Sequence, residues 1–463
     1  MHTHLRLAGR MRRLSAAALV ILAASACNTE DLLTVTDPDN ATPASLGDAS
    51  TLPAQRAGVI SEFQVAMGSG GENGQVTMSA LFTDEFVWAE TFPTRFEVDA
   101  RSVQPVNGTM SGIFSSIQRA RAAAARTAAQ YAALNQGTNP DRAEVLALEG
   151  LTYVNLAENY CNGVPVSTFT LAGEEQLGQP LSNQQLLQAA VARFDTALAA
   201  LGTQTAAAAV RARNLARVGK ARALLNLNQP ALAAAEAAQV TAGFTYQLSH
   251  SENSGRQNNG IFLPTYGFPR YSIGRPIVVA NPGGREGVNG LPFRADSADP
   301  RVANLPPRSG TATAGFPVVG ADGQTAMFYP LAHATRSAPL TVANQAEARL
   351  IVAENLLRGG GTAFLDTLNA MRAGIALPAL TDPGSQAARE DLLFRERAYW
   401  LFLTGHRLGD LRRLIRQYGR GAETVFPSGS YFKGGTYGVD VNFPVPFDET
   451  NNPNFVQCTD RNP

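Results

Sequence analysis

The sequence predicts a mainly α fold, in which tetratricopeptide-like helical hairpins carry an irregular, loop-rich subdomain. Three observations lead there. Apolar residues recur at helical spacing through most of 53–240 and again in 342–463, short Gly, Asn and Pro turns punctuate those stretches, and between 241 and 341 the period gives way to Gly, Pro, Asn and Ser. The chain of 463 residues balances 38 Lys and Arg against 38 Asp and Glu, so its formal net charge is zero. A chain of this length can bury one large core or two moderate ones. Neutrality argues against a dedicated nucleic-acid binder, which needs clustered Lys and Arg to meet phosphates. No glycine pattern of the P-loop or Rossmann kind sits between a strand and a helix, so no nucleotide or other cofactor is expected.

Residues 1–26 read as a signal peptide. Arg6, Arg10, Arg12 and Arg13 form a basic region, Leu14 to Ala24 an apolar run too short for a stable span, and Ala24-Ser25-Ala26-Cys27 closes it. This looks like a bacterial lipoprotein signal, with Cys27 lipidated as the first mature residue; the other reading is an ordinary secretory signal cut after Ala26. Each buried acyl CH₂ contributes roughly 0.8 kcal/mol, so several chains on Cys27 would anchor the protein firmly. Residues 27–52 then form a polar, lipidated tether. Cys161 and Cys458 remain, a candidate disulfide in an oxidising compartment that would staple the carboxy-terminal tail to the helical body; the alternative is two independent small apolar residues.

Within the helical region 53–240, a helix over 53–67 leads through a glycine-rich bend into the densest aromatic window. There Phe82, Phe86, Trp88, Phe92 and Phe96 stand beside Asp84, Glu85, Glu90, Arg95 and Glu97. Pyranose C–H faces stack on rings while hydroxyls bond to charged partners, so such a mixture suits a sugar; ordinary core packing is the competing explanation. On local chemistry alone, Trp88, Phe86, Glu90 and Arg95, with Tyr266 and Tyr271 second, are the candidate ligand-binding residues. An alanine-rich helix over 110–134 follows, then one over 142–161 with Asp141 as its N-cap, and one over 183–201 in which Leu187, Val191, Phe194, Leu198 and Leu201 keep the 3.6 period. A pair over 211–226 and 230–240 is joined at Asn228-Gln229, with Pro230 at the first helical position. Stacked pairs of this kind more often hold a partner protein than a substrate.

In 241–341 the aromatics, Phe262, Tyr266, Phe268, Tyr271 and Phe293 among them, are too many for disorder. Helix returns over 344–358, stops at Gly359-Gly360-Gly361, and resumes over 362–372. From Gln386 to Tyr418, Leu393, Arg397 and Leu401 lie on one line, Gly405 interrupts, and Leu408, Leu411 and Ile415 recur, which predicts packed helices joined by a tight turn. The charges here are too regular for a plain solvated face. The runs Arg395-Glu396-Arg397, Gly405-His406-Arg407 and Asp410-Leu411-Arg412-Arg413 resemble the carboxy-terminal signature of the SusD/RagB family. Asp31-Leu32-Leu33, Asp299-Pro300-Arg301, the Leu368, Asn369, Arg372, Pro378 and Leu380 run, and Phe443-Pro444-Val445-Pro446 with Glu449 and Asn452-Pro453-Asn454 extend the resemblance in order.

The resemblance implies a surface-exposed outer-membrane lipoprotein that binds a nutrient, an oligosaccharide or other oligomer, and delivers it to a SusC-like TonB-dependent transporter without covalent chemistry. Because such proteins share no uniform set of binding residues, it assigns no ligand contact. His406 and Asp410, at i and i+4, could face a metal, but no third ligand is evident and the resemblance makes them part of a structural network, so no metal is expected. Glu90 with Glu85 or Asp84 could be a glycosidase pair, yet no barrel strands hold them at a fixed separation, and catalysis is not expected. The reading from another class is a periplasmic helical-repeat scaffold lipoprotein that binds a protein partner.

Overall fold

Amphipathic periodicity and capping residues fix the helices in the computed structural model, which describes residues 47–463 apart from 69–70, 72, 173, 275–289, 307–316, 457, 459–460 and 462–463. The expected signal peptide, the lipidated Cys27 and nearly all of the tether lie outside the described residues. Before the loop-rich stretch come α1 (Leu52–Gly68), α2 (Gln75–Phe82), α3 (Pro93–Asp99), α4 (Gly108–Ala133), α5 (Pro140–Asn159), α6 (Asn183–Leu201), α7 (Ala207–Asn226) and α8 (Pro230–Ala237). After it come α9 (Gln345–Arg358), α10 (Ala363–Ala373), α11 (Gln386–Trp400), α12 (Arg407–Tyr418) and the single turn α13 (Ala422–Val425). Among the described residues no α-helix lies between Ala237 and Gln345, and no helix is long and apolar enough to cross a membrane.

Side-chain caps set the helix starts by satisfying backbone N–H groups that have no intrahelical acceptor. Asn107 Oδ1 accepts from Met110 N at 3.1 Å to open α4, Asn344 Oδ1 accepts from Glu347 N at 2.8 Å to open α9, and Ser182 and Gln185 form a reciprocal box at the start of α6. The cap of α5 is Asn139, whose Oδ1 accepts from Asp141 N at 2.9 Å, rather than Asp141 itself. Pro140 needs no N–H acceptor and so takes the first helical position, which moves the cap one residue upstream.

The centre of the stack is α5, buried continuously from Ala143 to Asn159 and packed against α1, α4, α6 and α7. Phe194 of α6 fills the space left by glycines of two neighbouring helices. A Cβ added to Gly150 would stand 2.7 Å from its ring, and one added to Gly219 would stand 2.4 Å from it. The missing methyl groups are therefore what lets α5 and α7 close on the ring at native packing density.

Among the described residues the strands are short: β1 (Phe86–Trp88), β2 (Val164–Pro165), β3 (Thr168–Phe169), β4 (Glu175–Gln176), β5 (Pro180–Leu181), β6 (Thr245–Leu248), β7 (Tyr271–Ile273), β8 (Asn304–Leu305), β9 (Tyr329–Pro330) and β10 (Leu340–Asn344). They pair antiparallel as β1 with β7, β2 with β5, β3 with β4, β6 with β10 and β8 with β9. The β1–β7 ladder ties the loop-rich stretch to the helical body, and the β6–β10 ladder pairs the two ends of that stretch.

The sequence predicts α5 to run on to Cys161; it ends at Asn159 because the tail claims the next residues. Tyr160 turns extended (φ −107°, ψ 163°) and bridges Phe443 in parallel, with Cys161 N donating to Phe443 O at 3.0 Å and Phe443 N to Asn159 O at 2.8 Å. A disulfide joins Cys161 to Cys458 across a Cα separation of 6.0 Å.

At the α11–α12 elbow Leu403 and Gly405 take positive φ, 55° and 80°, the latter a conformation that favours glycine. Most of the regular charges on these helices are buried and paired, with each other or with residues of other elements, whereas Arg395 is exposed and meets Asp296 at 2.8 Å. Arg397 donates through Nε and Nη2 to the two oxygens of Asp410, each at 2.9 Å, and Arg413 donates to Asp410 at 2.7 Å and to Glu354 of α9. Arg407 forks onto Asp84 at 2.7 and 2.8 Å, His406 Nε2 meets Glu347 at 3.0 Å, and Arg222 of α7 reaches Glu158 at 2.8 Å and His406 at 2.9 Å. Arg412 instead closes the carboxyl end of α5, donating to the carbonyls of Ala157 and Glu158 at 2.9 and 2.6 Å. Burial opposes charge on Asp410, yet the guanidiniums of Arg397 and Arg413 outweigh it and hold the carboxyl below the usual range. His406 is thus engaged by Arg222 and Glu347 of other helices, and Asp410 by Arg397 of α11 and Arg413 of its own helix.

Candidate functional site

The aromatic window folds as strand, bend and helix, and this order decides which rings face water. Phe86 stands opposite Ile273 and Trp88 opposite Tyr271 in the β1–β7 ladder. Phe86 and Tyr271 are wholly buried, their ring centres 6.1 Å apart, and Tyr271 Oη donates to Asn73 Oδ1 at 3.0 Å. These residues, candidates for ligand contact from sequence, are core residues: inward strand positions packed against α2 leave them no accessible surface. Tyr266 is also buried, stacked parallel to Phe262 at 5.6 Å and donating to Pro330 O at 3.1 Å within a small cluster with Ala89, Met327 and Tyr329.

Trp88 is half-buried. Phe96 packs 5.2 Å from its ring centre, and the Lys433 ammonium lies 3.8 Å above the ring while pairing with Asp322. Beneath it Asp99 accepts from Trp88 N at 3.2 Å and from the Tyr431 hydroxyl; burial pushes its carboxyl up to about 7. Glu90, nearly inaccessible, accepts both its bonds from Arg95 Nη1, at 3.0 and 2.9 Å, with Arg270 Nε 3.6 Å away. Burial raises the Glu90 carboxyl, against the pull of Arg95 and Lys433.

The surface above these groups belongs to Phe92 and Phe268. Their side chains are 49% and 46% exposed, and the guanidinium of Arg270 sits between them, 5.2 Å from the first ring centre and 4.8 Å from the second. Arg95 approaches Phe92 from below at 4.8 Å. The structure therefore brings Trp88, Glu90 and Arg95 together as the underlying frame of an aromatic platform whose open face is Phe92, Arg270 and Phe268. Local signals mark the exposed rings. Phe92 precedes Pro93, which starts α3 and leaves its neighbour outside the helix, and Phe268 lies between Gly267 and Pro269 in a turn.

The carboxylates that might have made a catalytic pair are each engaged: Asp84 by Arg407, Glu90 by Arg95, and Glu85 by the Leu403 N–H at 2.8 Å. Glu85 is fully buried, which pushes its carboxyl up to about 8.

No family profile and no curated protein matches the sequence. Solved structures do. A laminarin-binding SusD-like protein superposes with a TM-score of 0.66 at 17% identity, covering 89% of this chain and 99% of the other. A SusD superfamily protein from Bacteroides vulgatus gives 0.60 at 15% identity, over 89% and 99%. The chain has the SusD-like fold. Surface glycan-binding protein A from Bacteroides thetaiotaomicron, in complex with laminarihexaose, shares it with a TM-score of 0.58 at 13% identity, over 88% of this chain and 99% of that one. Within this SusD-like fold the signature runs of α11 and α12, Arg395 apart, belong to a buried ion network, and the platform is defined by this chain's own side chains.

Proposed function

We propose that this chain is an outer-membrane lipoprotein, held at the cell surface through Cys27, that captures an oligosaccharide on the Phe92–Arg270–Phe268 platform and delivers it to a SusC-like TonB-dependent transporter. The observation that carries the reading is the platform: half-exposed rings flanking a guanidinium offer C–H stacking faces beside a positive charge in one patch. The glycan ligands of proteins that share the fold support it. Capture needs no bond to be made or broken, and the window's carboxylates are engaged by Arg95, Arg407 and a backbone N–H, so the protein acts as a binder rather than an enzyme.

Calorimetric titration with laminarihexaose as probe tests the platform. Phe92→Ala or Phe268→Ala is expected to weaken binding by about five- to tenfold, the worth of one ring contact; affinity unchanged in both variants would refute the assignment. Protease added to intact cells should shave the protein and co-purification should recover the transporter. A protein spared by protease and bound to a periplasmic complex would instead support the scaffold reading.

A further inference from the structure

The stretch 427–440 folds back on itself over Trp88. Its base is clamped by Arg101, which donates to Pro427 O at 2.5 Å and to Asp440 O at 2.9 Å, and Gly438 N donates to Ala100 O at 2.7 Å. Tyr431 roots the middle, its ring buried against Phe96 and Tyr437 and its hydroxyl donating to Asp99. Beyond that root the chain turns over Tyr431–Gly434, closed by Gly434 N donating to Tyr431 O at 3.0 Å, and Gly434 and Gly435 take positive φ of 108° and 82°. Phe432 and Lys433 are the central residues of the turn, and among the described residues they make no backbone hydrogen bond to the body. Side chains therefore hold this exposed tip down.

The Lys433 ammonium lies 3.8 Å above the centre of the Trp88 ring and pairs with Asp322, its side chain 10% exposed. Two further carboxylates face it, Asp99 of α3 and Glu90 after β1, and its charge pulls both of their values down. The three respond differently to acid. Asp322 also accepts from Gln324 N and Thr325 N, at 3.0 and 2.9 Å, and is held below the usual range. Burial pushes Asp99 up to about 7 despite its bonds from Tyr431 and Trp88 N, and it raises Glu90 against Arg95 and Lys433, with Arg270 Nε 3.6 Å away. The Tyr431 and Tyr271 phenols, which face the same carboxylates, are pushed above their usual range and stay neutral. Mild acid thus removes negative charge from around Lys433 and leaves Asp322 as its ionised partner. Because docked Lys433 lowers both values, ionised Asp99 and Glu90 favour docking in return; that hold is present above about pH 7 and is lost as pH falls through it.

We propose that Lys433 is a pH-responsive cap on the Trp88 ring, docked at neutral pH and above and released in mild acid, when the tip lifts and uncovers a further aromatic stacking face beside the platform. Use of that face by a sugar rests on the platform reading; the cap does not. Trp88 and Trp400 are the two tryptophans of the chain, so Trp400→Phe leaves Trp88 as the sole reporter. Acrylamide quenching of the full mature chain carrying that substitution, without sugar, tests the cap. Between about pH 8 and about pH 5.5 the quenching constant should rise reversibly by about twofold or more as the charge pairing is lost. Adding Lys433→Met, which keeps an unbranched stem over the ring but no charge, should make the constant independent of pH. Asp99→Asn, neutral yet able to accept from Tyr431, should raise the constant at about pH 8 and shrink the change. A constant indifferent to pH, or a rise that persists undiminished in Lys433→Met or Asp99→Asn, would overturn the proposal. The predicted quenching change with laminarihexaose affinity unaltered by pH would uphold the cap and count against the platform reading instead.

Discussion

Replacing Asp410 with Asn removes the charge on which the α11–α12 elbow converges while changing almost no volume. Asp410 accepts from Arg397 at 2.9 Å through both its oxygens and from Arg413 at 2.7 Å, and all three side chains are at most 5% exposed. Without it, Glu354 is left as the carboxylate facing both guanidiniums: Arg413 bonds to it, and Arg397 Nη1 stands 3.8 Å away. Breaking a buried ion pair from one side typically costs about 3–5 kcal/mol, because the surviving charge stays buried. Asn retains one acceptor, so the expectation lies near the lower bound, about 3 kcal/mol, measured as the shift in urea midpoint at unchanged slope. The pH dependence has a definite sign. The folded carboxyl titrates below its unfolded value, so its contribution is present above the ordinary carboxylate range and is lost as pH falls through the folded pKa; the Asp410→Asn variant should therefore lose less stability than wild type on acidification. A change under about 0.5 kcal/mol, the range of an ordinary surface substitution, would refute the view that the signature charges hold the elbow together.

Other consequences can be checked alongside. Glu85 has a folded pKa of about 8, above its unfolded value, so wild-type stability should fall as pH rises from about 4.5 through 8, by on the order of a few kcal/mol; Glu85→Gln, which keeps an acceptor for Leu403 N, should flatten that slope, and an unchanged slope would contradict it. Phe194→Ala should cost about 3–5 kcal/mol in urea unfolding, because the ring fills the space between Gly150 and Gly219. Replacing Cys161 and Cys458 with Ser should cost about 2–4 kcal/mol and expose the tail to limited proteolysis before the helical body unfolds.

Much of the helical scaffold is legible in the sequence because period and caps are local properties. The helix over 183–201 appears with those bounds, and Pro230 and Gly405 punctuate where glycine and proline chemistry says they should. Differences arise where a distant segment decides. Helix α5 stops short because Phe443, far along the chain, takes Tyr160 into a bridge. The charge pattern from Arg395 to Arg413 announces a network, but its carboxylate partners Asp84, Glu347 and Glu354 come from the loop after α2 and from α9, with Arg222 of α7 joining through His406, and nothing local specifies them. At the candidate site, sequence chemistry picks residues by type, whereas contact with a ligand depends on exposure. The β1–β7 register turns Phe86 and Tyr271 inward, and the rings beside Pro93 and Pro269 are the half-exposed ones among the described residues of this patch.

The proposed function is that this chain grips a glycan on the Phe92–Arg270–Phe268 face and releases it unaltered. It is tested most directly by titrating a panel of oligosaccharides that includes laminarihexaose into wild type and the Phe92→Ala/Phe268→Ala variant, with mass analysis of the sugar afterwards. Saturable binding that the double variant abolishes, with every sugar recovered intact, is the predicted result. Binding that survives loss of both rings, or shortened sugars in the recovered pool, would contradict it.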